Sequence, residues 1–111
     1  MKSVTALAAL SALANEHRLA IFRLLVQTGP EGRAAGAIAE RLGLPASSLS
    51  FHLAHLTRAG LITQRRDGRS LFYAADFDSM NGLVGFLTEN CCGGASCAPA
   101  ASPPQKKRKA S

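Results

Sequence analysis

Residues 35–62 read AGAIAERLGLPASSLSFHLAHLTRAGLI, and this stretch decides the fold. Ile38 and Leu42, four residues apart, share one face of a short helix over residues 35–42, and Gly43 stops it because glycine accepts the left-handed backbone of a helix end. Pro45 suits the first turn of the next helix, where a missing N–H costs nothing. Leu49, Leu53 and Leu56 then line one side at i, i+4 and i+7 until Gly60 ends the run. Two short helices across a glycine-containing turn form a helix-turn-helix.

Immediately afterwards the period changes. Residues 61–65 and 70–73 are short β-prone runs around Asp67-Gly68, a strong hairpin signal, with Arg65, Arg66 and Arg69 at the tip. Upstream, one helix is expected over residues 4–14, with Leu7, Leu10 and Leu13 on its apolar face. A second starts after Asn15, a good N-cap, turns Leu19, Phe22, Leu25 and Val26 inward, and ends before a loop at residues 29–32. A last helix over residues 77–89 carries Phe77, Met80, Val84 and Leu87 on one stripe; Gly82 and Gly85 weaken it, so packing against another helix must hold it. The expected fold is therefore mainly α with a small β-hairpin: a winged helix-turn-helix of four helices, two strands and a fifth helix.

Composition agrees. With 111 residues, 47% hydrophobic and 18% charged, the chain makes one compact domain and is not disordered beyond its ends. Only 5% is aromatic, so the core rests on Leu, Ala, Ile and Val, which favours helices. The net charge of +6 is concentrated in the tail, at Lys106, Lys107, Arg108 and Lys109; without them nine basic residues face seven acidic ones. Placement of charge, more than its total, must therefore identify a partner. No run approaches the roughly 18 to 20 apolar residues of a membrane span, so no membrane is expected as a partner. Lys2 and the Ala/Leu-rich stretch to Ala12-Leu13-Ala14 resemble a short secretory signal, but Ser3, Thr5 and Ser11 interrupt it and the helical register runs on. Cys91, Cys92 and Cys97 fall within seven residues and cannot tie distant segments together, which fits a reducing cytoplasm.

The fourth helix would enter the major groove of double-stranded DNA by its N-terminal end, where Ser47, Ser48 and Ser50 offer small hydroxyls and free backbone N–H groups meet phosphate. Positions 47, 51, 54, 55 and 58 point outward; an outward Phe51 has no core role and suits a thymine methyl, while His52 is placed to reach a phosphate. Arg65, Arg66 and Arg69 would grip the backbone beside the minor groove. Helix caps and a solvated turn are the usual roles of such serines and arginines and stand as the alternative reading. No phosphate-cradling Gly loop, paired carboxylates or oriented Cys/His pair is present, so neither an enzyme nor a catalytic cofactor is expected.

Three ordered segments carry a family resemblance. Residues 12–25, ALANEHRLAIFRLL, resemble the opening of the ArsR/SmtB family of metal-responsive repressors. Residues 38–44 with the Ser50-x-His52-Leu53-x-x-Leu56-x-x-Ala59-Gly60-Leu61-Ile62 frame are similar to its helix-turn-helix, and Gly68-Arg69-Ser70-x-x-Tyr73 to its wing. The resemblance covers residues 6–90 and implies a homodimeric repressor, with the first and last helices forming the interface and two recognition helices reading an inverted repeat.

Two of the family's metal sites are missing from the sequence. Where many arsenic sensors carry Cys-x-Cys this chain has Arg33-Ala34-Ala35-Gly36, and the last helix offers Asp76, Asp78 and Glu89 but no His for a zinc site. What remains is Cys91-Cys92-Gly93-Gly94-Ala95-Ser96-Cys97. Three thiolates on a glycine-bearing loop suit arsenite or antimonite, whereas zinc wants a fourth ligand. The arrangement resembles the C-terminal arsenic sites of part of the family, which implies Cys91, Cys92 and Cys97 as ligands of As(III) or Sb(III), the inducer that releases the operator. The expected units are residues 1–90 for DNA binding and dimerisation, residues 91–97 for the As(III) loop, and residues 98–111 as a disordered basic tail. Rival readings are a redox- or persulfide-sensing repressor and a soft-metal buffer that does not bind DNA.

Overall fold

The computed structural model describes residues 1–94. Its elements are α1 (Ser3–Leu13), α2 (Glu16–Thr28), β1 (Arg33–Ala34), α3 (Ala35–Leu42), α4 (Ala46–Arg58), β2 (Ile62–Asp67), β3 (Ser70–Ala75), α5 (Phe77–Leu87) and a 3-10 turn at Cys91–Gly94. This is the winged helix-turn-helix expected from the sequence, with one added strand. Cys97 and the tail over residues 98–111 lie outside the described residues.

The helix boundaries follow from local chemistry. Asn15 caps α2, its Oδ1 accepting from the backbone N–H of His17 (2.9 Å) and Arg18 (3.1 Å). Arg18 Nε donates to Ala12 O at 2.6 Å, which satisfies a carbonyl left over at the end of α1. Gly43 closes α3 in the left-handed conformation, φ 67°, and Pro45 precedes α4 as its N-cap. Asp76 caps α5 by accepting from Ser79 N at 3.0 Å. That helix ends at Leu87, two residues short of expectation, where the Thr88 hydroxyl donates back to Val84 O at 2.8 Å.

The sheet order is β1-β3-β2, all antiparallel. Asp67 faces Ser70 across a two-residue loop, Gly68-Arg69, and each hairpin strand runs two residues further than the sequence suggested at its C-terminal end, β2 into the turn and β3 to the base where Ala75 pairs with Ile62. Only Gly68 of the two has positive φ, the pattern of a turn with glycine first. The extra strand β1 lies between the expected loop and α3; Arg33 pairs with Tyr73 and Ala34 with Phe72. Gly32 makes this approach possible, because a Cβ there would stand 2.3 Å from Tyr73 O.

Apart from Tyr73 at its edge the core is hydrocarbon: among the described residues no other side chain with a polar group is buried, and Ile21, Leu25, Ile38, Leu56, Leu61 and Ile62 are its largest fully enclosed members. Leu49, Leu53 and Leu56 of α4 are buried as expected. Three other helix faces differ. In α1 the buried residues are Ala6, Ala9 and Ala12, while Leu7 is 64% and Leu10 39% exposed. Small alanines allow α1 to lie close against its neighbours, which turns the leucines outward. In α2 the stripe runs through Ile21, Phe22, Leu24 and Leu25, leaving Leu19 exposed. In α5, Leu83 is buried and Phe77, Met80 and Phe86 pack beside the core, but Val84 and Leu87 are exposed. Among the described residues no helix is long and apolar enough to cross a membrane.

Candidate nucleic-acid interface

Because α4 buries Leu49, Leu53 and Leu56, its opposite side is displayed: Ser47, Ser50, Phe51, Ala54 and Arg58 are all exposed. Phe51 is 63% accessible, a large apolar surface left in solvent at the front of the helix. Ser48, His52 and His55 are half-buried, His52 against His17 of α2 and His55 beside Ala8 and Ser11 of α1, so His55 does not share the outward position expected for it. Helix ends and small hydroxyls facing outward are chemically suited to base edges and phosphates.

His52 is held more tightly than its spacing suggested. Its ring centroid lies 5.6 Å from that of His17 in the first turn of α2 and 5.7 Å from Phe51, and its Nδ1 is buried without a hydrogen-bond partner. Burial pushes its pKa below the ordinary 6.5, and the positive charge of Arg18, then of His17 and His55, acts in the same direction. His52 is thus a neutral wedge between α2 and α4 at neutral pH.

The three wing arginines separate into two kinds. Arg65 sits within β2 opposite Phe72, with its guanidinium 4.8 Å from that ring's centroid and Nη1 donating to Glu31 O at 2.8 Å. Arg65 therefore fastens the wing to the segment before β1. Arg66 and the loop residue Arg69 are exposed toward the turn, the positions from which a cation reaches a backbone. A notch between α4 and the wing is lined by Ser50, Ala54, Thr57, Arg58, Gln64 and Tyr73. Sequence reading placed Arg58 outward but missed its grouping with Gln64 and Tyr73, which only the β2–β3 register brings together.

After α5 the chain turns sharply. Asn90 and Cys92 both take φ 57°, Gly93 φ 68° and Gly94 φ 97°, and Asn90 O accepts from Gly93 N at 2.9 Å. This turn sets the Sγ atoms of Cys91 and Cys92 3.7 Å apart, with both residues exposed. Cys92 is disulfide-bonded in this structure, so its sulfur becomes a donor for a thiophilic ion only after that bond is reduced. Among the described residues no group of three His, Cys, Asp or Glu converges, and the third expected ligand, Cys97, lies outside them.

Comparison with known proteins agrees with this geometry. Residues 13–65 match a family described as a helix-turn-helix domain. The chain is 39% identical over 80 residues to the nodulation protein NolR of Rhizobium meliloti, covering 72% of this chain and 63% of that protein. It is 33% identical over 90 residues to the transcriptional activator HlyU of Vibrio cholerae, covering 81% of each, and the HlyU structure superposes with a TM-score of 0.65 over 81% of this chain and 95% of that one. A homodimeric winged helix-turn-helix DNA-binding domain from Mycobacterium bovis, described as a possible ArsR-family transcriptional regulator, is 30% identical with a TM-score of 0.63, covering 83% of this chain and 85% of that one. The displayed face of α4, the arginine-bearing wing and these relatives together show that the chain belongs to the ArsR/SmtB family of winged-helix transcriptional regulators.

Proposed function

We propose that the protein is a homodimeric repressor that holds an inverted repeat in operator DNA and lets go when its C-terminal thiols take up As(III). The observation carrying the inducer reading is the turn at Cys91–Gly94, a few residues after α5, which sets the Cys91 and Cys92 sulfurs 3.7 Å apart and offers both once the Cys92 disulfide is reduced. Soft, sulfur-preferring ions suit such a donor pair, with Cys97 as the third ligand. In the protein whose Cys92 disulfide has been reduced by a cellular thiol, arsenous acid exchanges its three hydroxyl groups for three thiolates; each thiol proton leaves with a hydroxyl group as water, and this exchange itself oxidises and reduces nothing.

DNA would be read through α4, with Ser47, Ser48 and Ser50 at its N-terminal end and Phe51 against a thymine methyl. His52 would stand beside a phosphate, and Arg66 and Arg69 would contact the backbone, with Arg65 reaching it from its fastened position. The dimer face combines Leu7 and Leu10 of α1 with Val84 and Leu87 of α5, all exposed in the protomer. The thiols follow directly on that face. Their ligation changes the end of α5, hence the relative setting of the two recognition helices, and a coupling of about 1.4 kcal/mol suffices for tenfold release.

The test is fluorescence anisotropy of reduced protein on its own promoter DNA, titrated with arsenite, beside a Cys97→Ser variant and a hydrogen peroxide arm. Release of the wild type by arsenite, and not of the variant, supports the reading. Release by peroxide alone replaces it with a thiol-redox repressor, and soft-metal binding without DNA binding replaces it with a metal buffer.

A further inference from the structure

The notch between α4 and the wing, about 290 Å³, has walls of distinct origin. Ser50, Ala54 and Arg58 recur every fourth residue and form one line along the displayed edge of α4. Gln64 and Tyr73, paired across β2 and β3, form the facing wall. The sixth residue, Thr57, already donates its hydroxyl proton to Leu53 O at 2.7 Å. The remaining polar groups include the donors of a serine, a glutamine, a tyrosine and a guanidinium, and no carboxylate lines the space. That chemistry selects an anion rich in acceptor oxygens.

Position decides which anion. A helix in the major groove and a hairpin at the adjacent minor groove stand on either side of one DNA strand, because the sugar-phosphate backbone is what separates the two grooves. The notch lies between those two elements. We propose that it seats one backbone phosphate of each operator half-site, with Arg58 as its charge partner and Gln64, Tyr73 and Ser50 as positioning donors. Ala54, exposed and small, leaves the room for it. This inference rests on the DNA-reading function proposed above. It assigns Arg58 to the backbone, so its loss should weaken every sequence alike.

The experiment uses the full chain and a duplex selected from a random pool by the wild-type protein. Affinity is measured from 50 to 200 mM salt for the wild type, Arg58→Gln and Arg66→Gln, on the natural duplex and on duplexes with single methylphosphonates scanned through a half-site. Arg58→Gln removes one phosphate contact per half-site, two per dimer, so its log K against log salt slope falls by about 1.8, making it about twelvefold less salt-sensitive across this range. One methylphosphonate position should weaken the wild type and leave Arg58→Gln unaffected, while still weakening Arg66→Gln; base preference stays as in the wild type. An unchanged slope, additive losses at every phosphate, or altered base preference in Arg58→Gln overturns the assignment while DNA reading stands. If the wild type selects no duplex, the proposed function falls and this inference falls with it. Arg58 is exposed, so the variant is expected to keep the fold.

Discussion

Replacing Gly32 by Ala should loosen the wing at its root. Gly32 has φ +76°, and a Cβ there would lie 2.3 Å from Tyr73 O, 2.8 Å from Tyr73 C and 3.2 Å from the Ala74 Cβ. Positive φ costs a non-glycine residue about 1–2 kcal/mol. The close contact is with backbone, which cannot rotate away, so β1 must move off β3; overpacking of this kind costs about 1–3 kcal/mol more. The total is about 2–5 kcal/mol. Gly43 provides the comparison: it is also left-handed, φ 67° and ψ 32°, but nothing lies within 4 Å of its Cβ position. Gly43→Ala should therefore cost only the about 1–2 kcal/mol of the backbone term. Urea denaturation at one protein concentration measures the difference; with m about 1 kcal/mol per M, the Gly32→Ala midpoint should fall about 1–3 M below that of Gly43→Ala. Equal midpoints would show that β1 does not approach β3 as closely as 2.3 Å requires, and the reasoning about the wing's root would be wrong.

Other substitutions address the interface and the dimer. Phe51→Ala should leave stability within about 0.5 kcal/mol, since the ring is exposed, yet cost about 1 kcal/mol in DNA affinity, with discrimination between thymine and uracil lost in duplex competition. Leu87→Glu should give monomers in sedimentation velocity, because that side chain is 59% exposed on the face assigned to the partner protomer. For His52 the sign follows from its lowered pKa. The unfolded chain binds the proton more readily, so stability is full above about pH 6.5 and declines as pH falls from 6.5 toward the depressed folded value. His52→Gln should flatten that part of the curve in urea titrations between pH 8 and 5; an unchanged slope would remove His52 as its source.

The helix-turn-helix was legible because its signals are local. Ile38, Gly43, Pro45 and the Leu49-Leu53-Leu56 stripe define α3 and α4 without help from distant residues. The two-residue strand β1 carries no alternation to recognise, and it forms because Tyr73 and Phe72, some forty residues on, accept it as an edge. The leucines of α1 were assigned inward on hydrophobicity, whereas close helix contact favours Ala6, Ala9 and Ala12. Arg65 looked like a tip cation because its partner, Glu31 O, lies 34 residues away in sequence. His52 showed its helix position but not its burial against His17, which depends on the packing of α2 over α4.

Hydroxyl-radical footprinting of the reduced protein on its selected duplex tests most directly whether α4 reads DNA as one of a symmetric pair. Two protected windows, centred about 10 base pairs or a multiple apart and related by two-fold symmetry, are expected. A single window, or uniform protection without position, would contradict recognition by a dimeric winged helix.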